Sequence, residues 1–278
     1  MSLPLLLGMM MLYSGKKKCI MISKVMTQNI RGLGMITSKE NTKYKLWLKL
    51  SKKKYRQKEQ LFLIEGEHLV IEAKKAGVLV DVLLCEGTTF EIDSPTTYIA
   101  KPLFEKLAST VTSTGIMAVC CMQEGDIKKH NRLLLVDGIQ DPGNLGTLIR
   151  SALAFGFDGL VMSEDTVDIY NEKVVRSTQG ALFNLPLSRK NLIDYVIELQ
   201  KLDVIVYATT LSDDALLMRE VQSTEQMAFI VGNEGSGIRE SLIATCDGNV
   251  IIEMTPQVES LNVGVAGSIL MHYFSNLR

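Results

Sequence analysis

The stretch LLLVDGIQDPGNLGTLIRSALAFGFDGLVMS, residues 133–163, decides the fold of the C-terminal half of this 278-residue chain. An apolar run typical of a buried strand ends in a turn of Asp, Pro and Gly residues. A helix follows, because apolar residues recur at three- and four-residue spacing, and a second apolar run comes after the helix. This order predicts two parallel strands joined by a helical crossover.

The helix within this stretch carries a single charged residue, Arg150. One of its faces is apolar and consists of Leu145, Leu148, Ile149 and Ala152. Another face has small residues around the charge, namely Gly143, Thr147, Arg150 and Ala154. Small side chains allow a ligand to approach closely, and a guanidinium can bind an anion with two hydrogen bonds. The pattern predicts that Arg150 faces a cleft; an arginine that pairs with a carboxylate at a domain interface fits it equally well.

Strand and helix patterns alternate through the rest of the C-terminal half. The predicted strands are RLLLVDGI, GLVMSE, NLPLS, VIVYATT, MAFIVGN and NVIIEM. The predicted helices cover 143–155, 169–178, 191–201, 239–246 and 261–276. Continuous apolar strands with helical crossovers predict an α/β fold with a mostly parallel sheet that is covered on both faces. Ligands bind beyond the carboxyl ends of the strands in such sheets, so the segments that follow the strands form the candidate site.

The N-terminal half alternates between helices and strands from residue 37 to about residue 122, beginning with a basic helix over 38–50. A polar segment, QEGDIKKHN, then separates the two halves. We predict a smaller N-terminal α/β domain over 35–123, a linker over 124–131 and a larger C-terminal domain over 132–278. Residues 1–34 are expected to be a non-native or disordered extension, with Met35 as the natural start.

The segment NTKYKLWLKLSKKKYRQK, residues 41–58, carries eight Lys and Arg residues and no acid, although the net charge of the chain is only −1. Its aromatic residues are Tyr44, Trp47 and Tyr55. Such a segment can hold a polyanion through phosphate contacts and base stacking. A solvated amphipathic helix whose leucines face the protein is the open alternative. The candidate phosphate contacts are Lys52, Lys53, Lys54 and Arg56.

Cysteine and histidine usage narrows the class of protein. The five cysteines are odd in number and form no CxxC pair, which argues against a disulfide framework or a zinc site and for a reducing cytoplasm. The three histidines form no ligand-like cluster, so we expect no metal. The N-terminal run LPLLLGMMML is too short to span a bilayer and lacks the basic residues that precede a signal peptide. We therefore predict a cytoplasmic protein that contacts no membrane.

Two more turns follow predicted strands. GNEGSGIRE, residues 232–240, places one carboxylate, Glu234, among glycines that permit close backbone approach to a ligand. TPQVESLNVGVAG precedes and begins the closing helix, which Ser260 or Asn262 could cap. That helix is apolar nearly all round, so we expect it to be buried in the core or against a second subunit.

Together, these turns resemble the three motifs of the SpoU/TrmH family of RNA ribose 2′-O-methyltransferases, within the knotted SPOUT superfamily. The first motif is Asn144-Leu-Gly-Thr-Leu-Ile-Arg150, the second Gly232-Asn-Glu234-Gly-Ser-Gly and the third Ser260-Leu-Asn262-Val. The resemblance covers residues 131–276. The N-terminal half resembles the RNA substrate-binding module that several members carry.

The resemblance implies a deep trefoil knot in the C-terminal domain, a methyltransferase catalytic domain that binds S-adenosyl-L-methionine (AdoMet). It implies cofactor contacts at Thr209, Gly232, Ile252, Leu261 and Asn262. It makes Arg150 catalytic, with Asn144 and Asn262 orienting the arginine and the ribose and with Glu234 holding the loop or the substrate. It also implies a homodimer through the helices that flank the knot. One departure is Gly264, where the family often has serine.

The expected function is therefore AdoMet-dependent 2′-O-methylation of RNA. The basic N-terminal module favours large-subunit ribosomal RNA, the 23S rRNA, over transfer RNA. The alternatives are a tRNA 2′-O-methyltransferase and a non-catalytic RNA-binding protein on the same scaffold. A nicotinamide-dependent enzyme is disfavoured, because GxGxxG is missing after the first strand of the C-terminal half.

Overall fold

The computed structural model describes residues 34–108, 113–123, 125, 127–212 and 214–275. Tertiary contacts divide the chain into two units. The N-terminal unit comprises the described residues up to 123 together with Tyr170–Arg176, and the C-terminal unit comprises Gly125–Ile169 and the residues from Ser177 onwards. The predicted extension lies outside the described residues, apart from Gly34. The assignment of Tyr170–Arg176 to the N-terminal unit has no counterpart in the predicted domain boundaries.

The N-terminal unit contains a four-stranded sheet and four helices. Its helices are α1 (Thr42–Lys49), α2 (Lys53–Glu59), α3 (Glu67–Ala76) and α4 (Lys101–Leu107). Its strands are β1 (Leu61–Glu65), β2 (Leu79–Cys85), β3 (Thr96–Ile99) and β4 (Ile116–Cys121), in the order β1-β4-β2-β3. Strand β4 is antiparallel to β1 and β2, while β2 and β3 are parallel, so this sheet is mixed.

The basic segment folds as the two helices α1 and α2, not as the single helix predicted over 38–50. Helix α1 begins at Thr42 because the Asn41 side chain accepts hydrogen bonds from the backbone N–H groups of Lys43 and Tyr44. Tyr44 and Trp47 are each only 1% exposed. They lie one turn apart on the buried face, so the interpretation that they stack on bases is wrong.

The C-terminal unit contains a seven-stranded sheet in the order β7-β6-β5-β10-β8-β11-β9. Its strands are β5 (Arg132–Val136), β6 (Gly159–Met162), β7 (Leu187–Arg189), β8 (Ile205–Thr209), β9 (Leu216–Leu217), β10 (Met227–Val231) and β11 (Gly248–Ile251). Every neighbouring pair is parallel, which confirms the predicted sheet. Strand β9 was not predicted, because two residues are too short to show an alternating pattern.

Four α-helices accompany this sheet: α5 (Pro142–Ala154), α7 (Leu192–Gln200), α8 (Glu240–Ile243) and α9 (Val263–Ser275). A further helix, α6 (Glu172–Thr178), belongs to the N-terminal unit as far as Arg176. Two short 3₁₀ helices, Ala181–Phe183 and Met218–Glu220, complete the described elements. The central strands β5 and β10 are buried along their whole length, as expected for parallel strands covered on both faces.

The closing helix α9 packs against α5. A Cβ atom built on Gly267 would lie 2.4 Å from Cδ2 of Leu148, so only glycine permits this approach. The hydroxyls of Ser151 and Ser268 are 2.7 Å apart and form a hydrogen bond between the two helices. The small residues of α9 therefore serve helix packing within the chain, and this packing brings the start of α9 close to the start of α5.

Among the described residues, Cys85, Cys120 and Cys246 are free thiols. No helix in the described part of the chain is long and apolar enough to cross a membrane.

Candidate active site

The first two motifs meet because β5 and β10 are neighbouring parallel strands. Val136, the last residue of β5, pairs with Val231, the last residue of β10. The turns that follow, 137–141 and 232–239, therefore start side by side at one edge of the sheet. Helix α5 begins directly after the first turn, where the Asp141 side chain accepts a 2.8 Å hydrogen bond from the backbone N–H of Asn144.

The glycine-rich loop, residues 232–239, is a tight hairpin. Asn233 and Gly237 exchange backbone hydrogen bonds of 2.9 and 3.0 Å, and Gly237 adopts a positive φ of 70°. A Cβ atom on Gly232 would lie 2.3 Å from the carbonyl carbon of Gly237. The Asn233 side-chain oxygen accepts from the backbone N–H groups of Gly235 and Ser236. These glycines and amides close the loop itself, which differs from the expected open cradle for a ligand.

Three polar side chains, one from each motif, form a continuous hydrogen-bonded chain that we call the amide relay: Asn262, Asn144 and Glu234. The Asn262 side-chain N–H donates to Oδ1 of Asn144 at 2.9 Å. The Asn144 side-chain N–H donates to Oε1 of Glu234 at 2.9 Å. The residues are 118 and 90 positions apart in the chain, so the relay forms only in the folded sheet.

The direction of the amide relay is fixed at both ends. At one end, Oδ1 of Asn262 accepts from the backbone N–H groups of Gly264 and Val265 at 3.0 and 3.3 Å, which caps α9. At the other end, an ionised Glu234 can only accept hydrogen bonds. Both asparagine amides must therefore point their N–H groups towards Glu234. Aligned hydrogen bonds of this kind polarise and strengthen one another.

The electrostatics of Glu234 fit this arrangement. Burial raises the pKa of Glu234, but hydrogen bonds from the Asn144 side chain and from backbone N–H groups, including those of Gln140 and Asp141, outweigh the burial. The pKa of Glu234 consequently lies below its usual range, and the side chain is a carboxylate at neutral pH. This charged acceptor anchors the turn after β5 to the glycine-rich loop.

Gly264, the departure from the family pattern, lies against the amide relay. A Cβ atom on Gly264 would lie 3.2 Å from Oδ1 of Asn262, 3.4 Å from Oδ1 of Asn144 and 3.4 Å from Cβ of Thr147. These distances are close to the limit of van der Waals contact. Glycine at this position therefore relieves the crowding between α9 and the relay.

Arg150 is exposed on α5 and makes no hydrogen bond or ion pair with any residue that the structure describes. It lies six residues beyond Asn144, which corresponds to about 9 Å along the helix axis. The structure brings Asn144, Glu234 and Asn262 together but leaves Arg150 outside their hydrogen bonds. Its exposed position also gives no support to the alternative of an arginine paired with a carboxylate, within the described residues.

A pocket of 430 Å³ lies beyond the carboxyl end of β11. Its lining residues come from the segments after β8 and β11 and from β9 and the end of β11: Leu211, Leu217, Ile251, Ile252, Glu253, Met254, Thr255, Pro256, Val258 and Glu259. Most of these side chains are apolar. The charged residues of the lining are Glu253 and Glu259, and Glu253 forms an ion pair with Arg219.

The predicted cofactor residues are distributed unevenly around this pocket. Ile252 lines it, whereas Thr209, Gly232, Leu261 and Asn262 are absent from the described lining. The Thr209 hydroxyl instead donates a 2.8 Å hydrogen bond to the carbonyl of Ile230. Gly232 is buried within the hairpin. Sequence reasoning missed Leu211 and Leu217, because they belong to no motif.

Asp137 and Arg239 are further residues of this edge that sequence reasoning did not single out. Asp137 is 2% exposed and follows β5 directly. It accepts hydrogen bonds from the backbone N–H of Arg239 at 3.0 Å and from Nε of Arg239 at 3.2 Å. The two residues lie in different turns, and no motif or periodic pattern in the sequence marks them as a pair.

The predicted RNA contacts in the N-terminal unit divide into two groups. Lys52, Lys53 and Lys54 are exposed. Arg56 is 6% exposed, and its Nη1 donates to the carbonyls of Leu50 and Ser51 at 2.8 Å each. Arg56 therefore joins the two helices of the basic segment, and we exclude it from the RNA contacts proposed below.

No cluster of three or more His, Cys, Asp or Glu side chains that could hold a metal ion occurs among the described residues.

Comparison with known proteins agrees with the motifs. Residues 131–272 match the model of the SpoU rRNA Methylase family, and residues 41–118 match the MRM3-like substrate binding domain. The chain is 43% identical over 243 residues to the 23S rRNA (guanosine(2553)-2′-O)-methyltransferase RlmP of Bacillus subtilis (strain 168). This match covers 86% of the chain and 98% of the relative.

Solved structures have the same fold. An RNA 2′-O ribose methyltransferase is 27% identical with a TM-score of 0.74, and the match covers 86% of this chain and 97% of that one. The AdoMet-bound rRNA methyltransferase from Sinorhizobium meliloti is 24% identical with a TM-score of 0.77, covering 88% and 98% of the two chains. The predicted fold class and family are thereby confirmed, and the trefoil knot stays a prediction. The chain belongs to the SpoU rRNA methylase family.

Proposed function

We propose that this protein is an AdoMet-dependent RNA 2′-O-ribose methyltransferase that acts on 23S rRNA. The observation that carries the proposal is the amide relay, in which one side chain from each family motif joins the others at the carboxyl edge of the parallel sheet. A scaffold that had lost the reaction would have no need to keep three polar side chains in one hydrogen-bonded chain. This argument favours an enzyme over a non-catalytic RNA-binding protein.

The pocket beyond β11 fits the proposed cofactor in size and charge. Its volume of 430 Å³ lies within the usual range for small-molecule sites, about 300–1,000 Å³. Its apolar walls suit an adenine ring. Its charged lining residues are carboxylates, Glu253 and Glu259, and the described lining contains no Lys or Arg. Glu253 is already paired with Arg219, which leaves Glu259 as the unpaired carboxylate of the described lining. AdoMet carries a net positive charge, whereas dinucleotides and nucleoside triphosphates are anionic, so Glu259 favours the methyl donor.

AdoMet supplies an electrophilic methyl group on a sulfonium, and the ribose 2′-oxygen must be aligned with that methyl group. Alignment of two reactants lowers a barrier by about 7–11 kcal/mol. The amide relay would contribute by fixing the loop that carries Glu234 and the start of α9 relative to α5. Asn144 uses its side-chain oxygen and one N–H within the relay, so we assign it, with Asn262, to positioning.

Arg150 is proposed to bind the RNA phosphate next to the target ribose and to stabilise the developing alkoxide. Its exposed guanidinium, which has no partner among the described residues, is available for an incoming anion. We assign it no role as a base, because an arginine side chain in a protein remains a cation with no acceptor atom. The hydroxyl proton would leave to the RNA phosphate or to water.

The N-terminal unit is proposed to hold the RNA through Lys52, Lys53 and Lys54. These three side chains are exposed in the segment that matches the substrate-binding domain. Phosphate contacts of this kind supply affinity and depend on salt concentration, whereas the target nucleotide is selected by the site.

The 43% identity to RlmP over nearly its full length supports the 2′-hydroxyl of guanosine 2553 in 23S rRNA as the target. The test is to map 2′-O-methyl groups in ribosomal RNA from a strain that lacks this protein and from its parent. Loss of methylation at this guanosine alone is the expected result. Loss at a transfer RNA position would establish the alternative substrate class.

A second measurement tests the cofactor independently of the RNA. Titration calorimetry with the purified protein should detect AdoMet binding, and Val258→Lys, which adds a positive charge to the pocket lining, should weaken it without unfolding the chain. Absence of any AdoMet binding would favour the non-catalytic alternative.

We also propose a homodimer through the helices that flank the predicted knot. Leu153 on α5 and Val265 on α9 are 37% and 47% exposed, although both helices are largely apolar. Analytical ultracentrifugation of the wild type and of a Val265→Glu variant tests this; a wild-type monomer would contradict it.

A further inference from the structure

We propose that Asp137 and Arg239 are a positioning pair for the methyl-transfer site, whose ion pair sets the orientation of the glycine-rich loop so that Glu234 meets Asn144. The inference rests on the proposed function, because it connects the pair to the reaction through Glu234. It adds two residues that none of the three sequence motifs contains.

The geometry of the pair is specific. Asp137 is 2% exposed, and both of its carboxylate oxygens accept hydrogen bonds from Arg239. Oδ2 receives Nε and the backbone N–H of Arg239 at 3.2 and 3.0 Å, and Oδ1 receives Nη2. A guanidinium held at two nitrogens is fixed in direction as well as in distance.

The pair lies at one end of a series of contacts between the turn after β5 and the glycine-rich loop. Next to it, the Asn233 side-chain N–H donates to the carbonyl of Gly138 at 2.8 Å. At the far end, Glu234 accepts from the Asn144 side chain at 2.9 Å and, at longer distance, from the backbone N–H groups of Gln140 and Asp141. A rotation of the loop about Arg239 would therefore move Glu234 away from these donors.

The need to anchor the end of the glycine-rich loop does not by itself explain the buried carboxylate of Asp137. Ile238, the neighbour of Arg239, is 7% exposed and packs into the core beneath the sheet, so the loop end already has an apolar anchor. An apolar contact fixes position but leaves rotation free, because dispersion and burial are non-directional. The ion pair supplies the missing direction.

A double-mutant cycle tests the coupling between Arg239 and Glu234. The variants are Arg239→Lys, Glu234→Gln and the double variant, assayed for methyl transfer from labelled AdoMet to a 23S rRNA transcript. We expect Arg239→Lys to lower kcat about 10-fold while KM for AdoMet changes less than about twofold. We expect the double variant to be no slower than Glu234→Gln, because residues that act through one another are not additive. Losses that multiply would overturn the proposal.

Arg189→Lys is the matched control. Arg189 donates Nη1 to the carbonyls of Glu164 and Thr166 and thus holds a different loop at the same edge of the sheet. The same chemical change at Arg189 should leave kcat near the wild-type value. An equal loss of kcat at Arg189 and Arg239 would indicate general loosening and would contradict the proposal.

Asp137→Asn provides a second variant, since it keeps the shape of the side chain and one acceptor oxygen. We expect kcat to fall with KM for AdoMet unchanged, as for Arg239→Lys, in a chain whose circular dichroism spectrum is native. A wild-type kcat in folded Asp137→Asn would overturn the proposal. If the wild type transfers no methyl group at all, the proposed function fails instead, so the two failures are distinguishable.

Discussion

Each of the two units has a buried carboxylate in or directly after a strand, and the two carboxylates have different partners. Asp81 within β2 and Asp137 directly after β5 are each 2% exposed. Asp137 receives two side-chain nitrogens and one backbone N–H from Arg239. Asp81 has the Lys43 ammonium at 3.6 Å and the Thr97 hydroxyl at 3.0–3.1 Å.

The difference has an electrostatic consequence for Asp81. Burial raises its pKa to about 6, because the opposing effects of the Lys43 charge and the hydrogen bonds from Thr97 and Lys43 are smaller than the desolvation. Equal burial thus does not mean equal satisfaction. Asp137 is held by two nitrogens of the Arg239 guanidinium. Asp81, in the N-terminal unit, binds its proton more strongly than an ordinary aspartate does.

The largest expected effect on activity concerns Arg150, which has no partner among the described residues and is proposed to act on the substrate. Arg150→Ala should lower methyl transfer at least about 1,000-fold, which corresponds to about 4 kcal/mol of transition-state stabilisation. Its free energy of unfolding should change by less than about 0.5 kcal/mol, because an exposed residue without protein partners contributes little to stability. AdoMet binding measured by calorimetry should survive. Activity near that of the wild type would refute the assignment of Arg150.

The next effect tests the well-paired carboxylate. Asp137→Ala should lower the free energy of unfolding by about 1–3 kcal/mol, because it removes a buried acceptor of hydrogen bonds while the Arg239 side chain, which is 56% exposed, can be solvated by water. Chemical denaturation measures it. Asp194→Ala, which removes an exposed carboxylate of the same unit, should cost no more than about 1 kcal/mol. A similar loss for both variants would show that the Asp137 pair is not special.

Substitution of Asp81 should change the free energy of unfolding in the opposite direction to substitution of Asp137. The pKa of Asp81 is about 6 in the folded chain and 3.8 ordinarily, so its stabilising contribution is complete below pH 3.8 and is lost as the pH rises through 6. The loss amounts to about 3 kcal/mol at about 1.4 kcal/mol per pKa unit. Asp81→Asn should therefore gain stability relative to the wild type as the pH rises from 4 to 7.

Denaturation curves of both proteins at several pH values measure this difference. Asp93→Asn is the control, because Asp93 is exposed in the same unit and its substitution should change the unfolding free energy by less than about 0.5 kcal/mol. A flat difference for Asp81→Asn would mean that Lys43 and Thr97 compensate the burial fully, and the contrast between the two sheets would disappear.

The smallest effect on the fold concerns exposed charges. Simultaneous substitution of Lys52, Lys53 and Lys54 by Glu should leave the unfolding free energy within about 1 kcal/mol, since surface charges contribute little. RNA affinity should fall, and the slope of log affinity against log salt should flatten by about 2 or more, at about 0.7 per lost phosphate contact on single strands. Unchanged affinity and slope would favour the solvated-helix interpretation of the basic segment.

The sequence was informative where regular patterns fix positions. Parallel strands place their following turns at one edge, so the meeting of Asn144, Glu234 and Asn262 could be expected from alternation and motif order. The spacing of Tyr44, Trp47 and Leu50 also contained the information that they face the core, but the basic residues between them obscured it.

Other features depend on three-dimensional contacts that the sequence pattern does not encode. Asp137 and Arg239 pair because two turns rotate towards each other, and rotation leaves no periodic signal. Leu211 and Leu217 line the pocket because β9 adds two residues to the sheet beside β11. The sequence pattern of α5 was consistent with both interpretations of Arg150, and its exposure without a partner among the described residues was not encoded in that pattern.

The amide relay has a consequence for the time at which the site forms during synthesis. Asn262 closes the relay to Asn144 from 118 positions away. A ribosome must therefore complete nearly the whole chain before the first and third motifs can touch, and any earlier nascent intermediate lacks the assembled site. A chain that terminates before Asn262 would therefore lack the assembled amide relay, even if its N-terminal unit were complete.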